Sequence, residues 1–321
     1  MLLRRSLAAL AAFAVVCLAA SGQDNKPVKL EWKFEKDKAF YQELKTETKQ
    51  EMKVMGQEVK QNQTQTFYFS WTPKEQDKDK NWIVKQRIEG VKMDIEIGGN
   101  KITYDSTNQA QANNPLQQFF SALVGSEFTL TVNPKMEVIK VEGRDDFVNK
   151  LKQGNPQMEP LLKQILSDEA LKQMADPAFA AVPNKEVKVG DTWQKKSTLN
   201  LGPIGSYDNS YEYKYEGKEN KLDKISVKTT LKYTAPVEPA GGGAGPLPFK
   251  IKSAELTSKD SKGTILFDSA KGRLESSTTE LTLTGKLTIE IGQQPTVVEL
   301  TQKQTTTVKT FDKNPIEKPK Q

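Results

Sequence analysis

From Phe40 onward, apolar and polar residues alternate along the chain with a period close to two. Phe40, Leu44, Met52 and Val54 share one face of an extended segment, and Glu43, Lys45, Glu47 and Lys49 share the other. Strict alternation with abundant threonine is typical of a half-buried antiparallel strand. The same pattern recurs to Tyr104, interrupted by a turn at residues 98–100. The sequence therefore predicts an N-terminal antiparallel β half over residues 23–143.

The period changes to a helical one in two places. Leu116, Phe119, Phe120 and Leu123 form one apolar stripe that Gly125 ends, which predicts a single short helix within the N-terminal half. Residues 144–184 carry apolar side chains at helical spacing, including Leu162, and prolines near their end. This segment is predicted to be a helical insert that packs against the sheet and covers its apolar face.

Alternation returns over residues 185–311, which predicts a C-terminal antiparallel β half. Residues 235–248 contain three consecutive glycines and four prolines, which indicates a mobile loop, and residues 312–321 are predicted to be a flexible tail. Similar strand and turn patterns in the two halves suggest an internal repeat. The predicted fold class is mainly β (α+β): long antiparallel meanders, as two repeated curved sheets, with a central helical insert.

The first 22 residues have the pattern of an export signal. Arg4 and Arg5 precede an apolar run over residues 7–18, and small residues follow at 19–22. The run is shorter than a membrane-spanning helix, so we expect an exported protein of the periplasm or cell surface, with no transmembrane span after signal removal. Cys17 lies inside the run after two valines, which favours its loss with the signal, although a lipid anchor at Cys17 stays open.

Composition excludes several functions. The chain has 47 Lys and Arg against 41 Asp and Glu, and removal of two arginines with the signal lowers the net charge from +6 to +4. These charges alternate in sign instead of clustering, so no nucleic-acid binding is expected. The chain contains no histidine, and its one cysteine lies in the signal, which excludes histidine-based and thiol-based catalysis and the common zinc sites. We therefore expect a protein that is not an enzyme, with no catalytic, metal-binding or cofactor-binding residues.

Three segments together resemble a family of exported bacterial proteins, a domain of unknown function. They are residues 189–193 (VGDTW), residues 211–215 (YEYKY) and residues 263–274, which contain GTILFD and KGRL. The resemblance extends over nearly the whole chain after the signal and implies an exported β-rich fold. The architecture is also similar, more loosely, to the curved sheets of lipoprotein carriers.

The sequence leaves three functions open. The first is a cell-envelope binding or scaffolding protein that holds a lipid or other amphiphile between sheet and helices. The second is a structural module that binds envelope proteins through its strand edges, and the third is a carboxylate-dependent polysaccharide hydrolase, with Asp145 and Asp146 as the conspicuous pair. For the first function, the side chains predicted to line a ligand cavity are Phe119, Phe120, Leu162, Tyr211, Tyr213 and Tyr215.

Overall fold

The computed structural model of this protein describes residues 26–108, 117–154, 156–236, 249–291 and 294–317. The predicted signal and most of the predicted Gly/Pro-rich loop lie outside these ranges. The strands are β1 (Val28–Leu30), β2 (Phe40–Val54), β3 (Gln57–Gln76), β4 (Trp82–Ile97), β5 (Asn100–Asp105), β6 (Glu127–Val132), β7 (Val138–Glu142), β8 (Lys185–Val187), β9 (Thr192–Asn200), β10 (Ser206–Glu219), β11 (Leu222–Thr234), β12 (Lys250–Asp268), β13 (Arg273–Ile291) and β14 (Gln294–Phe311). The helices are α1 (Gln117–Leu123), α2 (Arg144–Gly154), α3 (Glu159–Ile165), α4 (Asp168–Ala175) and α5 (Pro177–Ala180), with 3₁₀ turns at Pro156–Met158 and Gly202–Ile204.

Twelve of these strands form one antiparallel sheet, which confirms the predicted mainly β architecture. The strand order is β7-β6-β4-β3-β2-β14-β13-β12-β11-β10-β9, and β5 pairs with β4. The strands β1 and β8 form a separate two-stranded ribbon. The two predicted β halves are joined in the middle of the large sheet, where β2 pairs with β14 from Tyr41–Phe311 to Val54–Val298.

Two strands of the C-terminal half continue across local irregularities. The segments 250–258 and 263–268 belong to one strand, β12, because a bulge between Lys259 and Lys262 carries the ladder across the polar residues between them. The segments 273–283 and 287–291 likewise form the single strand β13. Gly285 lies within β13 and pairs with Leu256 of β12.

The main hydrophobic core lies where the helices cover the sheet. Trp32 and Phe179 are almost fully buried there, and the Trp32 indole Nε1 donates a hydrogen bond to the Phe179 carbonyl (3.1 Å). Their rings meet edge to face at 5.4 Å, and Phe179 meets Trp71 in the same way at 5.4 Å. The predicted helical cover is therefore present, and short helix α5 is its anchor.

Helix α4 lies between the two end strands of the large sheet. It contacts β7 and β9, which are the first and last strands of the pairing order. The Asp176 carboxylate, just after α4, accepts a hydrogen bond from the Val138 amide in β7 (2.9 Å), and the Gln173 side chain accepts one from the Asn200 amide in β9 (2.9 Å). The sheet is therefore curved enough for a single helix to contact both of its ends.

The described part of the predicted tail also contacts the sheet. Asp312 forms an ion pair with Arg273 at 2.7 Å, and this pair holds the pKa of the Asp312 carboxyl below its usual value. Ile316 is half-buried, close to Gly90 in β4. Residues 312–317 therefore pack against strands from both halves of the protein.

Candidate ligand-binding groove

The inner face of the sheet, defined here as the face that the helices cover, extends beyond the helices. On β10, Tyr213 and Tyr215 point into the main core, and the alternation places Tyr207 and Asn209 on the same face further along the strand. Tyr207 pairs with Tyr233 of β11, and Asn209 pairs with Leu231. The part of the inner face around Tyr207 and Leu231 is therefore further along the strands than the main core.

A second, smaller hydrophobic cluster occupies that part of the inner face. Its buried members are Tyr233, Leu256 and Leu283, from three successive strands. Leu231 and Leu300 are among the partly buried side chains around them. This cluster is separate from the main core, and no described helix covers it as the insert covers the main core.

An open cavity of about 420 Å³ lies over this second cluster, and we call it the apolar groove. Its lining residues are Leu199, Ile204, Tyr207, Asn209, Leu231, Tyr233, Ile251, Leu256, Leu281, Leu283, Leu287, Leu300, Gln302 and Gln304. The volume is within the range of small-molecule sites, which are mostly apolar concavities with a few polar groups. The groove can therefore hold an apolar chain and offer hydrogen bonds at one side.

A short connection forms one lip of the groove. The Tyr233 hydroxyl donates a hydrogen bond to the carbonyl of Ile204 in the 3₁₀ turn between β9 and β10. The Tyr207 and Tyr233 rings pack at 5.0 Å below this turn. Burial, with a smaller effect of Tyr207, raises the pKa of Tyr233 to about 12, so its hydroxyl stays protonated as a donor near neutral pH.

Gly285 lies between two residues that line the groove, Leu256 and Leu300. It pairs with Leu256 on one side and with Leu300 on the other, in the row of inward-facing residues. Its φ of +150° disfavours any other residue, and an added Cβ would overlap the carbonyl oxygen of Glu255. Glycine here lets β12 and β13 approach closely and leaves the centre of the row without a side chain.

Uncharged polar side chains continue the inner face beyond Gln302 and Gln304. In the pairing register, Gln302 and Gln50 oppose each other, and Gln50 opposes Gln61 on the next strand. We call these half-buried residues the amide stripe: Thr46, Thr48 and Gln50 of β2, Gln61, Gln63 and Gln65 of β3, and Gln302, Gln304 and Thr306 of β14. Gln302 donates to Gln304 at 3.4 Å and Gln304 donates to Thr306 at 3.3 Å. The groove thus has a leucine-rich side and an amide-rich side.

The six residues predicted to line a cavity lie elsewhere. Phe120, Leu162, Tyr213 and Tyr215 are buried in the main core, where they pack against other side chains. Phe119 is 40% exposed and contacts Phe120 edge to face at 5.5 Å.

Tyr211 is half-buried, between the core and the groove, and stacks on Tyr213 at 6.1 Å. None of the six is among the described lining residues of the apolar groove. Their role as ligand contacts stays a prediction.

The sequence contains the apolar residues of the groove in alternating patterns, but these patterns lie on separate strands. Leu281, Leu283 and Leu287 alternate on β13, and Leu231 and Tyr233 alternate on β11. These residues meet only because β11, β12, β13 and β14 are consecutive neighbours in the sheet. Alternation indicates that each strand has an apolar face, but it does not indicate which stretch of that face a helix leaves uncovered.

Three acidic residues of the described part of the chain have structural explanations. Asp223 is fully buried and accepts a hydrogen bond from the Tyr215 hydroxyl (2.7 Å), and burial together with this carboxylate raises the pKa of Tyr215. Asp145 and Asp146 lie in the first turn of α2, where carboxylates favour the helix dipole. Within the described ranges, no group of three or more Asp, Glu, His or Cys residues is arranged to hold a metal ion.

Membrane-spanning helices are also absent from the described part of the chain, because none of its helices is both long and apolar enough to cross a bilayer.

Fold and site together define a class: a large, curved antiparallel sheet, partly covered by a helical insert, with an apolar groove on the part of its inner face that none of the described helices covers. The chain belongs to the DUF6263 family, a family of unknown function, whose model matches residues 79–274. This match confirms the resemblance to an uncharacterised family that the sequence motifs indicate. No curated protein matches the chain.

Two solved structures show weak similarity. One is a structure of lipovitellin, described as "Lipid-protein interactions in lipovitellin"; it is 12% identical with a TM-score of 0.41, and the match covers 85% of this chain but only 25% of that chain. The other is the crystal structure of Pseudomonas aeruginosa OccK5 (OpdH), 5% identical with a TM-score of 0.23, covering 85% of this chain and 98% of that chain. At these TM-scores neither similarity supports an inference about fold or ligand.

Proposed function

We propose that this protein is an exported, non-enzymatic binding protein of the cell envelope that holds an apolar or amphiphilic ligand in the apolar groove. The observation that carries the proposal is the groove itself. Leucine and isoleucine side chains from six different structural elements converge on an open cavity, in a chain of which 27% of residues are charged. An apolar concavity that no described helix covers is typical of a ligand site.

The expected affinity follows from the area that the groove can cover. An alkyl chain that removes about 300 Å² of combined apolar surface from water would gain about 7 kcal/mol. Association costs several kcal/mol of this gain, so a dissociation constant of about 1 mM is expected, and the gain itself limits the affinity to no tighter than about 10 μM. The groove is therefore suited to a ligand that is exchanged, as in transfer or sensing, more than to a permanently bound one.

The proposed site differs in position from the one expected from the sequence. Between sheet and helices, Phe120, Leu162, Tyr213 and Tyr215 are packed into the main core. The apolar groove lies where the sheet extends past the insert. Helix α4 contacts β7 and β9, the two end strands of the sheet. These contacts support the choice of the groove, instead of the strand edges, as the proposed binding surface.

Native mass spectrometry of residues 23–321, purified without detergent from an exporting host, tests the proposal. We expect a reproducible extra mass that organic extraction removes. The variant Leu231→Gln places a polar amide in the groove and should reduce the bound fraction at least threefold. The variant Ile139→Gln is the matched control, because Ile139 is 47% exposed on β7 and does not line the groove.

Two results would contradict the proposal. One is a bare chain mass together with no binding of dodecyl-chain probes by calorimetry. The other is an adduct that Leu231→Gln and Ile139→Gln reduce equally.

A further inference from the structure

We infer that the ligand of the apolar groove carries an uncharged head rich in hydroxyl or amide groups, joined to an apolar chain, as in a neutral glycolipid. This inference rests on the proposed function and adds the chemical class of the ligand to it. Two features of the inner face carry it: the absence of charge from the described groove lining and the amide stripe beside it.

The first feature is the separation of charge between the two faces of the sheet. The described residues that line the groove include no Lys, Arg, Asp or Glu, although 27% of the chain is charged. Charged residues next to the groove belong to the opposite face: Asp208 and Lys232, for example, pair with each other between the inward-facing rows. An ionic head seated here would lose water without gaining a countercharge, which is unfavourable.

The second feature is the position of the amides. Gln302 and Gln304 line the groove on the side opposite Leu231 and Leu256. Each glutamine side chain has two N–H donors and a carbonyl acceptor, and the hydrogen bonds along β14 use only part of this capacity. The remaining donors and acceptors match hydroxyl or amide groups, which both donate and accept.

The two features also fix the orientation of the ligand. The leucine-rich side comes from β11, β12 and β13, and the amide stripe extends from β14 to β2 and β3. An apolar chain would therefore lie across β11–β13, and the head would point over β14 towards Gln50. Thr48 and Gln63, further along the stripe, offer more polar groups to a larger head.

Isothermal titration of the mature chain with three probes tests this inference. Dodecyl maltoside, dodecanoate and dodecyltrimethylammonium each have a chain of twelve carbons, counting the carboxylate carbon of dodecanoate, and differ in head charge. Each is used below its critical micelle concentration. We expect the maltoside to bind at least about tenfold more tightly than either ionic probe. Comparable binding of all three, or tighter binding of an ionic probe, would overturn the inference and leave the proposed function standing, whereas binding of none would overturn both.

Substitutions at Gln304 locate the head. Gln304→Leu should weaken maltoside binding about three- to tenfold, the effect of one or two hydrogen bonds, and leave dodecanoate binding unchanged. Gln304→Lys should strengthen dodecanoate binding about tenfold, since it supplies the missing countercharge.

The matched control is Gln194→Leu, on the exposed outer face of β9. It should change neither affinity, and unchanged circular dichroism spectra would show that the variants fold. Unaltered probe preference in both Gln304 variants would overturn the assignment.

Discussion

Phe179 is the residue whose truncation should damage the fold most. It is 1% exposed, and its ring packs edge to face against Trp32, Phe34 and Trp71, with centroid distances of 5.4, 5.9 and 5.4 Å. Phe179→Ala removes all three ring contacts and leaves a cavity beneath α5. Truncation of a buried phenylalanine costs about 3–5 kcal/mol, and this site should fall in the upper part of that range because its walls are large rigid rings.

The expected loss of unfolding free energy in Phe179→Ala is large relative to the unfolding free energy of the whole protein. Proteins of this kind unfold with free energies of about 5–15 kcal/mol, so the variant should lose a third or more of its margin. A fall in Tm of about 6–15 °C is the corresponding thermal effect.

Urea unfolding, monitored by tryptophan fluorescence, measures the loss of unfolding free energy directly, since Trp32 and Trp71 contact the altered site. Phe119→Ala is the control: the same substitution at a side chain that is 40% exposed should cost less than about 1 kcal/mol.

The reasoning would be refuted if Phe179→Ala cost less than about 1 kcal/mol, or if Phe119→Ala cost as much. Probe binding by Phe179→Ala also tests whether the main core and the second hydrophobic cluster, over which the groove lies, are independent. Because the groove cluster shares no buried residue with the main core, dodecyl-probe affinity should be unchanged in folded Phe179→Ala.

Three other predictions concern single contacts. Gly285→Ala should lower the free energy of unfolding by more than about 1 kcal/mol, measured in urea, because its backbone conformation and the adjacent strand exclude a side chain. Tyr215→Phe should cost about 1–3 kcal/mol by the same measurement, since it leaves the fully buried Asp223 without its hydroxyl donor; an effect below about 0.5 kcal/mol would contradict this. Burial raises the pKa of Tyr68 and Tyr233 to about 12, above the value of about 10 in the unfolded chain. The stability that these protonated phenols contribute is therefore present below pH 10 and is lost as the pH rises from about 10 to 12, which urea midpoints combined with absorbance at 295 nm will show.

The alternation of side chains was sufficient to predict the strands and their faces, because a period of two directly reports one buried face. It predicted the covering helices for a similar reason, as the spacing of Leu162 and its neighbours is helical. The short ribbon of β1 and β8 was not predictable, since three-residue strands carry no periodic signal. The lengths of β12 and β13 also do not follow from alternation, because a bulge in β12 and Gly285 in β13 interrupt the apolar pattern while the ladder continues.

The position of the candidate site could not be predicted from the sequence. Tyr211, Tyr213 and Tyr215 alternate along β10 and therefore share one face of the sheet. Whether that face is core or cavity depends on where the helices end, and this is decided by packing between residues more than a hundred positions apart, such as Trp32 and Phe179. The amide stripe could not be predicted either, because one of its three strands, β14, is far from β2 and β3 in the sequence.

The pairing of β2 with β14 has a consequence for how the chain reaches its native state. Two of the central strands of the sheet are contributed by residues 40–54 and 298–311, so the ladder between them cannot form until the last part of the chain is available. Contacts of such high sequence separation slow folding, because the loop-closure entropy is lost before the ladder stabilises it. A chain that is shortened before β14 would expose the long edges of β2 and β13 together. Such edges are templates for aggregation, so β14 is the strand that keeps the edges of β2 and β13 from pairing with other chains.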